Sequence, residues 1–175
     1  MLHTLVVLVE DKPGVLNRVA SLFRRRAFNI ESLTVGHTET EGISRMTIVV
    51  DGDQVSVERL TAYLYKLVNV IQVDDLTGKP MVSRDLAMIK IRTTSANRSE
   101  ILQVVEVFRA RVVDVTSHSL RVEVTGDEEK VDGLVEMLRP LGIIEMVRTG
   151  AVAMSRGGEA LLNTALNGKS LESAA

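Results

Sequence analysis

The residues best placed for chemistry lie near the start of the chain, where "VEDKPGVLNRV" leads from an apolar run through Glu10, Asp11, Lys12, Pro13 and Gly14 into a helical pattern. A helix that opens without an acidic residue in its first turn leaves backbone N–H groups unanswered at the positive end of its dipole, here at Gly14, Val15 and Leu16. A carboxylate seated on them gains about 0.3 to 2 kcal/mol. Gly14 lets such a ligand approach where any Cβ would crowd it. The same residues also make a plain tight turn, and their types alone do not choose between the two. If Gly14 has ordinary helical angles, an acidic side chain there costs the fold little.

Other chemistries find no residues to carry them. His3, His37 and His118 are far apart in sequence and lack partners at ligand spacing, so they are expected to be surface residues and no metal site is expected. There is no HExxH, GxSxG or Walker glycine loop, and the chain has no cysteine. Glu10 with Asp11, and Asp74 with Asp75, are sequence neighbours and would point to opposite faces of a strand rather than share a proton. A dinucleotide fingerprint needs three glycines, and Gly14 stands alone. The run from Arg24 to Arg26 fits a solvated helix end or a partner contact.

The elements that must position the Gly14 turn follow from periodicity. An almost unbroken β-favouring run over 2–9 predicts a strand buried on both faces. Val15, Val19, Leu22 and Phe23 then recur at helical spacing. Two strand-like stretches joined by "HTETEG" predict a hairpin, a helix carries Val57, Leu60 and Leu64, and "VNVIQVDD" returns to strand. The order is βαββαβ. After "LTGKPMVSRD" it begins again, with Asn97 and Glu100 resembling a capping box, Asp127 as a helix cap, and Pro140 and Gly142 as a stop. The expected class is α+β, two consecutive ferredoxin-like βαββαβ domains over 1–77 and 85–157, with a linker at 78–84. A frayed tail is expected over 158–175, with a turn of helix around "EALLNTAL". An RNA-recognition fold shares the element order, but "ISRMTIVV" offers no stacking aromatics.

Composition bounds the partners. The 175 residues suffice for two small domains, and 21 basic against 23 acidic side chains create no field for nucleic acid or a membrane surface. "MLHTLVVLVED" is apolar over too few residues to span a bilayer and lacks a basic leader region, so a cytoplasmic protein is expected. Hydrophobic content is 45% with only 3% aromatic, so the core is built from Val, Leu and Ile. In the first unit both faces of the central strands are apolar, so a second copy or the other half must cover the outer face.

"LVEDKPGVLNRVASLFRRRAFNIESLTVG", "SRMTIVVDGD", "SRDLAMIKI", "EVFRARVVDVT" and "RTGAVAMSRG" together resemble the small regulatory subunits of acetolactate synthase, over about residues 1 to 157. The resemblance makes the first domain an ACT domain, a module that binds amino acids at dimer interfaces. It implies a non-catalytic homodimer that activates a large catalytic subunit and confers feedback inhibition by a branched-chain amino acid, usually valine. No cofactor would sit on this chain; thiamine diphosphate, magnesium and flavin (FAD) would belong to the large subunit. The implied effector site takes Asp11, Gly14, Val15 and Leu16 from one protomer and Asn29 and Ile30 from its neighbour. Asp11 would face the ammonium, the Gly14 helix start the carboxylate, and Ile30 the aliphatic side chain. The alternative is a freestanding amino-acid sensor or dimerising scaffold for another enzyme.

Overall fold

The computed structural model describes residues 1–157; the expected tail over 158–175 and its helical turn lie outside them. The first half runs β1 (Leu2–Glu10), α1 (Val15–Arg25), β2 (Ile30–His37), β3 (Ile43–Asp51), α2 (Gln54–Leu64) and β4 (Val70–Asp75). The second runs β5 (Met81–Arg92), α3 (Arg98–Val107), β6 (Arg111–Val115), β7 (Ser119–Gly126), α4 (Glu128–Leu138), a 3-10 turn (Arg139–Leu141), β8 (Ile143–Arg148) and a short β9 (Val152–Ser155). The sheets have strand orders β2-β3-β1-β4 and β6-β7-β5-β8, with β9 pairing β5. Two ferredoxin-like βαββαβ units are therefore present, as the pattern predicts. None of the described helices is long and apolar enough to cross a membrane.

In the first unit Leu5, Val7 and Val9 of β1 face the helices and pack with Val19, Phe23, Ile48 and Leu60. Val6 points the other way and is equally buried. Its cover is Leu76, Met81 and Ala153, so a segment from the far end of the chain closes the outer face. Arg45 Nη2 donates to the Ala153 carbonyl at 2.6 Å, and the Ala153 N–H reaches Thr47 Oγ1 at 3.5 Å. Burial holds the Arg45 pKa below its ordinary value, against the opposing pull of Glu39 and Asp74.

This closure moves the expected domain limits. The described residues divide into Met1–Val82 plus 153–157, and Ser83–Val152. Residues 153–157 thus belong with the first unit, because Ala153 completes its outer face. Nor is 78–84 an unstructured linker throughout, since β5 begins at Met81. His3 also departs from expectation. It lies on the inward side of β1 and is fully buried, with Nδ1 3.7 Å from an Asp75 carboxylate oxygen.

Helix ends follow local chemistry. Asp53 caps α2, its carboxylate accepting from the Ser56 N–H at 3.0 Å and the Ser56 hydroxyl at 2.6 Å. Asp127 caps α4 in the same way through the Lys130 N–H. Asn97 does not form the expected box. Its side-chain oxygen turns back to the Thr94 N–H at 2.7 Å and leaves the α3 start uncapped. Helices α1 and α3 both end with a non-glycine residue in the left-handed region, Ala27 at φ 58° and Arg109 at φ 50°. Each is followed by a residue whose N–H reaches back five positions, Phe28 to Phe23 and Ala110 to Val105. At the end of α1, the Arg26 guanidinium lies 3.6 Å from the Tyr63 ring centroid.

The hydrogen bonds from the Ser56 hydroxyl and N–H hold the Asp53 pKa below its ordinary value. A carboxyl whose folded pKa is depressed stabilises the fold above its unfolded pKa, about 4, and loses that contribution as pH falls through the folded value. Asp53→Asn keeps a cap but not the charge, so it should flatten the acid limb of urea-unfolding stability below about pH 4. An unchanged limb would show that this carboxylate is not a source of the acid sensitivity.

Candidate functional site

The loop from β1 into α1 is held by its backbone. Glu10 ends β1, the Asp11 N–H donates to the Gly42 carbonyl at 2.8 Å, and the Val15 N–H donates to the Lys12 carbonyl at 3.3 Å. Gly14 stands at the cap position with φ 84° and ψ −6°, in the left-handed region. It is not helical, which corrects the angle assumed for it from the sequence. A Cβ built there would meet nothing within 4 Å, so the requirement for glycine is conformational. No side chain caps α1, and its first turn carries no acid.

The proposed contacts differ in what they can offer. The Val15 side chain is buried in the core, and its N–H already has an acceptor. Leu16 is exposed beside Gly14 and presents an aliphatic surface. The Asp11 carboxylate is exposed and lies 3.3 Å from His37 Nδ1 at the end of β2. His37 is a neighbour that sequence spacing could not reveal, brought there because β2 and β1 both end beside the β2–β3 hairpin.

Asn29 and Ile30 lie elsewhere. The Schellman-type turn at Ala27 sends Phe28 into the core region and leaves Asn29 exposed, its amide donating to the Glu31 carboxylate. Ile30 opens β2 opposite Val50, whereas Glu10 lies opposite Ile43. From Ile43 to Val50 along β3 is roughly 23 Å at the usual strand rise. A single copy of the sheet therefore keeps Asn29 and Ile30 at the far end from Asp11, Gly14, Val15 and Leu16. Among the described residues, no group of His, Asp and Glu side chains is arranged to hold a metal ion.

Comparisons with known proteins agree with this architecture. The family described as "AHAS small subunit-like ACT domain" matches residues 5–72, and "Small subunit of acetolactate synthase" matches residues 84–157. The acetolactate synthase small subunit of Mycobacterium leprae is 52% identical over 155 residues, 89% of this chain and 92% of that protein. That of Mycolicibacterium smegmatis is 52% identical, covering 89% and 91% respectively. The crystal structure of the acetolactate synthase small subunit from Thermotoga maritima superposes with a TM-score of 0.85 at 40% identity, over 91% of this chain and 99% of that one. Sequence, fold and both halves agree, and the chain belongs to the acetolactate synthase small subunit family.

Proposed function

We propose that this chain is a non-catalytic regulatory subunit that binds a branched-chain amino acid, valine above all, and passes that signal to the large catalytic subunit of acetolactate synthase. The observation that carries the reading is the position of the two half-sites at opposite ends of one sheet. An antiparallel second copy would bring the Asn29–Ile30 end of one protomer to the Gly14 helix start of the other. The amino acid's carboxylate then meets the uncapped start of α1, its ammonium meets Asp11, and Leu16 with Ile30 supply the aliphatic wall. Such a site requires a homodimer. Without effector the subunit raises the activity of its partner, and the thiamine diphosphate, magnesium and flavin chemistry resides on that partner.

Reconstitution tests this directly. Acetolactate formation by the large subunit should rise when this chain is added and fall again as valine is titrated, while lysine and glutamate leave it unchanged. Sedimentation should show a dimer at micromolar concentration. A stable monomer would remove the composite site. Failure to bind or activate the large subunit, with valine binding retained, would favour a freestanding amino-acid sensor.

A further inference from the structure

The loop between Glu10 and Val15 is exposed from Asp11 to Gly14, and a Cβ at Gly14 would meet nothing within 4 Å, so buried side-chain packing does not fix its shape. A polar clamp spans it, in addition to its backbone hydrogen bonds. Asn69, only 8% exposed in the turn before β4, accepts from Arg18 Nη1 at 2.6 Å through its side-chain oxygen and donates to Glu10 Oε2 at 2.6 Å through its amide nitrogen. Its backbone carbonyl also accepts from the Glu10 N–H at 2.9 Å. Glu10 is the last residue of β1, and Arg18 stands one turn into α1, where its own N–H donates to the Gly14 carbonyl at 3.0 Å. One side chain therefore holds both ends of the loop.

We infer that Asn69 is a positioning residue for the effector, acting through Glu10 and Arg18 to hold the Asp11–Gly14 loop in its binding geometry. The inference rests on the regulatory reading above. An amide suits this place because its two neighbours have opposite needs: a guanidinium only donates and a carboxylate only accepts. Lys12 Nζ, 3.1 Å from the same Glu10 oxygen, adds a second cation to the clamp. Asparagine satisfies both partners without adding a charge to a nearly buried position.

Asn69→Asp keeps an acceptor for Arg18 but sets a carboxylate against Glu10. Exchanging the polarity, with Asn69→Asp and Glu10→Gln together, restores a donor and an acceptor at the same net charge. Calorimetry of the full chain with valine should show affinity weakened about tenfold in Asn69→Asp and returned to within about threefold of the parent in the exchanged pair. A merely structural asparagine would lower the unfolding midpoint of the single variant and leave the valine affinity of the folded protein at the parental value, which would overturn the inference. Should the single variant fail to fold, the pair decides: folded with parental affinity it supports the clamp, and folded with affinity still weakened it overturns it. A parent chain that binds no valine would instead remove the effector reading, and this inference with it.

Discussion

Arg148→Ala should destabilise the Ser83–Val152 unit by about 3 kcal/mol, because it removes the partner of a carboxylate that cannot reach water. Asp85 is 5% exposed and accepts from Arg148 Nε at 2.6 Å, while Nη1 of the same guanidinium donates to Asp132 on α4 at 2.7 Å. Burial disfavours the charge on Arg148, but the hydrogen bonds it donates to Asp85 and Asp132 outweigh that and raise its pKa above the ordinary value. The arginine thus ties β8, β5 and α4 together at one end of the unit. The loss should appear in hydrogen exchange of the β5 and β8 amides, and Asp85→Asn in the same background should recover part of it, since no buried charge then remains unpaired. A loss below about 1 kcal/mol would mean that water reaches Asp85 once the guanidinium has gone.

On the regulatory reading proposed above, Gly14→Asp should weaken valine binding by at least about tenfold, or about 1.4 kcal/mol, by setting a negative charge where that reading seats the effector's carboxylate. It should also cost the fold on the order of 1 kcal/mol, since φ 84° is outside the range that most L residues adopt. Asparagine is the informative control, being as tolerant of the left-handed region as aspartate but uncharged. Valine titrations of both variants separate the two effects. Equal affinities for Gly14→Asp and Gly14→Asn would show that charge at this helix start does not matter, and the carboxylate would have to bind elsewhere.

Much of the architecture is legible in local pattern. Alternation on β7 gives Leu120, Val122 and Val124 inward, with Arg121 paired to Asp114 and Glu123 to Arg111 on the opposite side. The Asp127 cap follows from residue type and place. Asn97 shows the limit of that rule, because Thr94 competes for its side chain from the N-terminal side and no spacing records which partner wins. The turns at Ala27 and Arg109 carry no glycine to announce them, and His3 carries no sign that β1 turns it inward. At the candidate site, the helix start from Gly14 is visible as an anion-suited turn, but its left-handed angle is not. Asn29 and Ile30 came only from family resemblance, since their part in a site depends on a neighbour rather than on their own spacing. That the outer face of β1 needed cover was readable from its apolar run. That Ala153 supplies it depends on contacts between opposite ends of the chain.

The return of β9 to the first unit also sets an order of events during synthesis. Leu76 and Met81 leave the ribosome soon after β4, but Ala153 follows only after the whole Ser83–Val152 unit has been translated. At about 5 to 20 residues per second that delay is on the order of 4 to 14 s. Throughout it the nascent first unit carries Val6 on a partly uncovered sheet, long enough for aberrant association with neighbouring chains or for capture by a chaperone. Strands β5 to β8 of the second unit can be made and paired during this interval, while the half made first still waits for Ala153.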